Sequence, residues 1–317
     1  MKPTVTVVVP TRNRPHLLRE ALASIAAQDL PPGGVEATVV NDGGVDVTAV
    51  INDATARGLP VRVLTIPRRR GLPAARNLGI DAARGEFVAF LDDDDIFLPS
   101  HLRVALTTLK SEGVDAVYTS CLVSTRRLQP GRQPPADAAA YFYDFPFSSD
   151  LLSVSNYIPV HAPVLRNPRS RGARFDASLS ALEDWDMWLR LTQEYRFRVL
   201  HVPEVTVAYH RIPGQASMTA GAAARAATLA RFASEQRRIW ARWPAAGPRA
   251  ARFRLYLGVM YWHALALHAT GKPVSRFYYH RTMRAIFAAW SGAGPEDELI
   301  DRIAVAVEED IDAANVA

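Results

Sequence analysis

Apolar and polar positions change period several times along the chain. Residues 4–9 (TVTVVV) form a short, nearly continuous apolar run, the pattern of a strand buried on both faces. Between residues 14 and 28 the apolar positions Leu17, Leu18, Ala21, Leu22 and Ile25 recur at helical spacing. Residues 36–40 and 61–66 predict a second and a third strand. Residues 72–83 predict a helix entered through Gly71 and closed near Gly85. A fourth strand is predicted over 86–91, a helix over 99–111 with proline at its start, and a fifth strand over 114–120. Strands alternating with helices predict an α/β domain with a mostly parallel, Rossmann-like sheet. In such sheets a ligand lies outside the carboxyl ends of the strands. Three polar clusters fall at those ends: residues 11–14, 41–42 and 92–95.

The second half is less regular. Residues 125–140 (TRRLQPGRQPPADAAA) read as a loop. Strands are predicted over 160–165, 197–202 and 205–209, and a helix over 182–191. From residue 220 the pattern is helical, with segments 222–240, 252–269, 274–290 and 296–313 separated by prolines and glycines. This predicts a domain over 1–219, divided into a nucleotide-sugar half (1–120) and an acceptor half (121–219), followed by a helical C-terminal subdomain over 220–317. The apolar stripes of those helices suit packing on the first domain, a homodimer interface or a peripheral membrane contact.

Composition narrows the function classes. Of the 37 basic residues among 317, all but Lys2, Lys110 and Lys272 are arginine. That excess accompanies much alanine, so the net charge of +5 is not taken as the footprint of a nucleic-acid partner. The single cysteine, Cys121, excludes an intrachain disulfide and suits a reducing, cytoplasmic setting. The N-terminal apolar run is too short for a signal peptide. The most apolar helical segment, 255–269, is too short to span a bilayer.

The chemistry sits in short motifs. Four consecutive aspartates, Asp92, Asp93, Asp94 and Asp95, follow the fourth strand. At a strand exit Asp92 and Asp94 face one way and the other two the opposite way. The remaining repulsion is what a hard cation, Mn²⁺ or Mg²⁺, relieves, and crowded carboxyls without it titrate high. Asp95 is placed to cap the following helix. In VVVPTRNR, Arg12 and Arg14 can meet a diphosphate, with Pro10 and Thr11 offering backbone and hydroxyl contacts. No G-x-G-x-x-G loop follows the first strand, which argues against a dinucleotide cofactor. Asp42 in VVNDGG can accept from the N3–H of a pyrimidine, or serve the turn alone. Arg76 opens a helix at the same sheet edge, where phosphate is favoured. In ALEDWDMWLRL, Glu183 and Asp184 precede apolar Trp185, a setting that can tune an acid toward base catalysis.

In this order VVVPTRNR, VVNDGG, GLPAARNLGI, FVAFLDDDDIFLP and ALEDWDMWLRL resemble the GT-A-fold glycosyltransferases of family 2, the inverting, SpsA-like group, from about residue 5 to 219. The resemblance implies a nucleotide-sugar donor and a hydroxyl acceptor; a UDP-sugar is the expected donor, although Asp42 fits UDP and dTDP equally and leaves GDP open. It implies that Pro10, Thr11, Arg14 and Asp42 line the nucleotide pocket, and that Asp92 and Asp93 lie near ribose and metal. Asp94 becomes the main metal ligand and Asp184 the general base. The acceptor side would come from residues 125–180, including His161, and His210 falls near the donor diphosphate as a metal or phosphate ligand. The chain departs from the family in lacking Q-x-x-R-W after the Asp184 helix, which favours single addition over polymerisation. A nucleotidyltransferase is disfavoured by PTRNRP in place of a glycine-rich loop. A degenerate sugar-nucleotide binder without turnover is disfavoured by Asp42, Asp94 and Asp184.

Overall fold

The computed structural model describes residues 3–30, 34–213 and 222–308. Its elements are β1 (Val5–Thr11), α1 (Pro15–Ala26), β2 (Val35–Asp42), α2 (Thr48–Ala56), β3 (Val61–Ile66), α3 (Leu72–Ala82), β4 (Phe87–Phe90), β5 (Ile96–Phe97), α4 (His101–Glu112), β6 (Ala116–Ser124), β7 (Tyr141–Tyr143), α5 (Ser149–Val154), β8 (Pro163–Arg166), α6 (Glu183–Leu189), β9 (Val199–His210), α7 (Ala222–Arg242), α8 (Pro248–Ala269), α9 (Tyr278–Ser291) and α10 (Leu299–Val307). The expected domain boundary at 219/220 and the end of the expected 296–313 helix lie outside the described residues. Two compact units are present. One comprises Met1–Phe147, Ile158–Leu179 and Glu183–Pro213; the other comprises Ser148–Tyr157, Ser180–Leu182 and Gly214–Ala317.

In the first unit the strand order is β3-β2-β1-β4-β8-β6-β9-β5, with β7 paired to β6. The pairs β1–β2, β1–β4, β2–β3 and β6–β9 are parallel. β8 runs antiparallel to both its neighbours, β4 and β6. The sheet is mostly parallel, and its apolar runs are buried on both faces: every residue of β1, β4 and β6 is buried. Gly79 lets α3 press onto β1, since a Cβ there would come within 2.2 Å of the Val8 side chain.

The region 197–209, expected as two strands, is the one long strand β9; its pairing with β6 shifts register on both sides of Ser120. α4 begins at His101 and not at Pro99, and its N-terminus carries no side-chain cap. Asp95 is not that cap: it is buried and engaged elsewhere, as described below.

His101 is itself fully buried. Its Nδ1 lies 2.8 Å from the Thr206 hydroxyl, and its ring packs 4.2 Å from that of Phe97. Burial holds its pKa down from 6.5 to about 3. The imidazole is neutral when folded and takes up a proton on unfolding below pH 6.5. Its stabilising share is complete above that pH and is lost on acidification, by about 1.4 kcal/mol per pH unit. Urea unfolding between pH 7.5 and 5.5 is expected to show this loss, and His101→Gln to flatten it.

Candidate functional site

The parallel strands β1, β2 and β4 end on one edge, delivering Thr11, Asp42 and the aspartate turn side by side. Burial across the turn alternates as the strand period predicts: Asp92 and Asp94 are partly exposed, Asp93 and Asp95 buried. Three side chains carry most of the neutralisation.

Arg76 is the first. It is 1% exposed, and donates from Nη2 to Asp92 Oδ1 and from Nη1 to Glu183 Oε1, each at 2.7 Å. The Phe175 ring lies 5.6 Å from its guanidinium carbon. Burial alone would raise the Asp92 carboxyl, but Arg76 outweighs it and holds that group below the usual range. Arg76 was expected to meet phosphate. It is instead enclosed between two acids, because a guanidinium fork can serve two carboxylates at once.

Arg14 is the second, with a side chain 37% exposed. It pairs with Asp93 through Nη2 and with Asp94 Oδ2 through Nη1 at 3.2 Å. Asp93 also accepts from the Thr11 hydroxyl at 2.7 Å, so this acid faces inward.

His161 is the third. Its Nδ1 lies 3.2 Å from Asp95 Oδ2 and its Nε2 3.5 Å from Cys121 Sγ. Burial would lower its pKa, but Asp95 beside it holds it well above the ordinary range, which favours the charged imidazolium. His161 is 2% exposed and Trp185 1%. Neither lines an acceptor surface, contrary to expectation, and Glu183 is occupied by Arg76. A tryptophan within an amphipathic helix turns toward the core because its area outweighs the wish of its N–H for water.

Asp94 is left with the weakest compensation: it shares Arg14 with Asp93. Burial, followed by the charge of Asp95, pushes its carboxyl up to about 7. Burial likewise pushes Asp93 up to about 6, so the expectation that the crowded acids titrate high holds for Asp93 and Asp94 and fails for Asp92.

The backbone around the turn is tied down. His210 Nδ1 donates to the Asp94 carbonyl at 2.9 Å, its Nε2 accepts from the Leu128 N–H at 3.1 Å, and its own N–H donates to Asp95 Oδ1 at 2.7 Å. Both ring nitrogens are therefore committed, and in this arrangement neither is open to a metal, a departure from the expected ligand role. Arg127 also donates to the Asp94 carbonyl, at 2.7 Å. No spacing rule in the sequence pointed to Arg127 or to the His161–Asp95 pair.

At the neighbouring strand end, Asp42 accepts from the backbone N–H groups of Arg70 and Gly71 at 2.7 and 2.8 Å. Its carboxylate holds the segment before α3 against β2. Gly43 fits this crossing with φ +66, and a Cβ there would come within 2.7 Å of the Arg69 nitrogen. Pro10 is buried within β1, while Arg12 is exposed beside it. Asp184 opens α6, half-buried, with Oδ1 accepting from the Trp185 N–H at 2.8 Å. It adjoins Glu183 and so is held beside Arg76, whose charge it helps support.

Among the described residues no three His, Cys, Asp or Glu side chains are arranged to hold a metal unaided. Asp92 and Asp94, with side chains 25% and 20% exposed, are a two-carboxylate set. Such a set fits a hard divalent cation whose other ligands are water and substrate phosphate. Among the described residues no helix is long and apolar enough to cross a membrane.

Residues 6–168 match the family described as Glycosyl transferase family 2. The uncharacterized glycosyltransferase YwdF of Bacillus subtilis is 31% identical over 205 residues, which cover 65% of this chain and 73% of that protein. Two solved structures share the fold. The mannosyltransferase PcManGT from Pyrobaculum calidifontis, in complex with GDP-Man and Mn²⁺, superposes with a TM-score of 0.56 at 20% identity, over 96% of this chain and 86% of that one. TarS of S. aureus (residues 1–349), in complex with UDP, superposes with a TM-score of 0.52 at 20% identity, over 96% and 81%.

Proposed function

The chain belongs to glycosyl transferase family 2, and from that premise we propose that it catalyses a metal-dependent, inverting transfer of one sugar. The donor is a nucleoside-diphosphate sugar, with UDP as the nucleotide, and the acceptor is a hydroxyl group. The observation that carries this reading is the imbalance inside the aspartate turn. Asp95 has His161, Asp92 has a close 2.7 Å contact with the Arg76 that it shares with Glu183, and Asp93 has Arg14 with Thr11, whereas Asp94 has only the longer, 3.2 Å contact with the shared Arg14.

Asp94 and Asp92 are the residues that would hold Mn²⁺ or Mg²⁺. Once bound, the cation would supply Lewis-acid stabilisation of the charge that develops on the departing diphosphate. Arg14, partly exposed beside it, adds a donor for the same charge. Arg12 is exposed at the same strand end and within the same role. Each Asp42 oxygen spends one lone pair on a backbone N–H, which leaves a second for the N–H of a pyrimidine.

Asp184 takes the proton of the acceptor hydroxyl as its oxygen attacks C1 from the face opposite the leaving group. One displacement inverts the anomeric centre. The segment after α6 continues as a wider π turn, Arg190–Glu194 (RLTQE), without the Q-x-x-R-W pattern of processive enzymes, which supports single addition. TarS with UDP and PcManGT with GDP-Man divide on the nucleotide, and Asp42 inclines the reading to uracil. We assign this chemistry to residues 1–219 and a supporting role to the helices of 220–317. The buried Cys121 accords with a cytoplasmic, reducing setting.

Calorimetric titration with UDP, GDP and dTDP, each with and without Mn²⁺, tests the reading. UDP is expected to bind best and to require the metal. Asp94→Asn is expected to weaken metal-dependent binding by at least about tenfold, or about 1.4 kcal/mol. UDP binding that ignores both the metal and the substitution would remove Asp94 from the donor site.

A further inference from the structure

Helix α8 has apolar residues on two opposite faces, with Arg252 and His263 on a flank between them, and only one of those faces is covered. Its inner stripe, Phe253, Leu257, Met260, Ala264 and Leu267, is buried. The opposite stripe carries Leu255 and Trp262, 73% and 70% exposed, with Ala251 and Ala269 exposed at its two ends. Leu255 and Trp262 are seven residues apart and so lie within about 20° of each other around the axis. Between them a Cβ on Gly258 would meet open space. The core-facing side of α8 is already satisfied by its inner stripe, so a leucine and a tryptophan aligned and exposed on the far side call for an occupant of their own.

Charge says which kind. Between residues 248 and 291, through α8 and α9, the sequence holds seven arginines and lysines and no aspartate or glutamate. Lys272 and Arg276 are exposed just beyond the Trp262 end of the stripe, and Arg284 is exposed on α9. Two acids from outside this stretch pair with α8 at residues other than Leu255 and Trp262. Arg252 reaches Glu296 at 2.5 Å, and His263 lies 3.4 Å from Glu308.

Size argues against a second copy of the chain. From Ala251 to Ala269 the stripe is about 27 Å long and about 10 Å wide. Its area, about 270 Å², is well below the roughly 800 Å² that each partner of a stable dimer contributes. Like charges on the same face of the other copy would oppose pairing as well. A tryptophan and a leucine in line, edged by basic residues, match the interfacial plane of an anionic bilayer.

We propose that the outer face of α8 is a docking surface for an anionic phospholipid membrane, lying in the interface through Leu255 and Trp262 and held by the basic residues around them. The surface belongs to the helical unit alone and does not depend on the assigned transferase chemistry.

The test is flotation of the full chain with vesicles of phosphatidylcholine, with and without phosphatidylglycerol. The expected result is binding to the anionic vesicles at least about tenfold tighter than to phosphatidylcholine alone, weakened by added salt. The double substitution Leu255→Ser with Trp262→Ser is expected to lower that binding at least about tenfold, with the melting temperature unchanged because both side chains are exposed. Lys272→Glu with Arg276→Glu is expected to lower it comparably through charge alone. No binding to anionic vesicles overturns the proposal, as does binding that survives both double substitutions. So does a concentration-dependent dimer, seen by sedimentation velocity without vesicle binding and abolished by the Leu255/Trp262 pair; it would assign the stripe to a second copy.

Discussion

Asp184→Asn is expected to lower kcat by about 100- to 10,000-fold, the range for removal of a general base. The affinity for UDP with Mn²⁺ is expected to change by less than about twofold, and the melting temperature to stay in place. The side chain keeps its shape, and its carbonyl oxygen can still accept from the Trp185 N–H. What it loses is the capacity to take a proton. The neighbouring acid provides the contrast. Glu183→Gln withdraws the charge that Arg76 holds at 2.7 Å, so its effect should appear in stability and in the setting of Asp92 as well as in rate. Turnover by Asp184→Asn within tenfold of the unaltered chain would mean that another group takes the proton.

Arg76→Met is the second large effect. It removes the one cation that Asp92 and Glu183 share and leaves the buried Glu183 and the partly exposed Asp92 unanswered. Breaking a buried pair from one side costs about 3–5 kcal/mol, because the stranded charge and not the lost attraction dominates. At about 2–4 °C per kcal/mol for a chain of a few hundred residues, the melting temperature should fall by roughly 10 °C. Activity should fall further than stability explains, since Asp92 and the start of α6 both lose their anchor. Arg76→Lys should recover only part of either: one ammonium is a point charge and cannot present two parallel donors to acids on separate segments. Adding Glu183→Gln to Arg76→Met should return much of the stability and little of the activity. A melting temperature unchanged in Arg76→Met would mean that solvent reaches these carboxylates.

The sequence carried residues 1–120 well because their strands hold recognisable apolar runs, such as VTVVV in β1 and FVAF in β4, bounded by polar or turn residues. Residues 61–66 coincide with β3. The elements it missed are those with little pattern to show. α2, TAVINDATA, buries only Val50, Ile51 and Ala54. β5 is two residues long and lies in the aspartate motif's own tail. β9 looked like two strands because Pro203 and Glu204 interrupt its apolar run, and the shift in pairing accommodates them.

Within the site, the residue types were legible and their partnerships were not. Arg76 and Glu183 are 107 positions apart, and His161 and Cys121 are 40 apart. No local period relates residues at such distances; only the packing of α3, α6, β4 and β6 brings them together. The charged residues assigned outward roles and found inside, Glu183, His161 and Arg76, share one cause. A charged side chain can be buried when it has a partner, and the sequence lists charges without saying which are partnered.

Cys121 has one more consequence. Its thiol is fully buried against His161, and burial pushes its pKa up, so it is poor both as a nucleophile and as a target for maleimides. The native chain therefore behaves toward such reagents as if it were free of cysteine. A cysteine introduced at an exposed position, such as Trp262 or Arg12, can carry a fluorophore or a spin label with the native residue left in place. Distances between two such probes would then report the separation of the helical unit from the aspartate edge in solution.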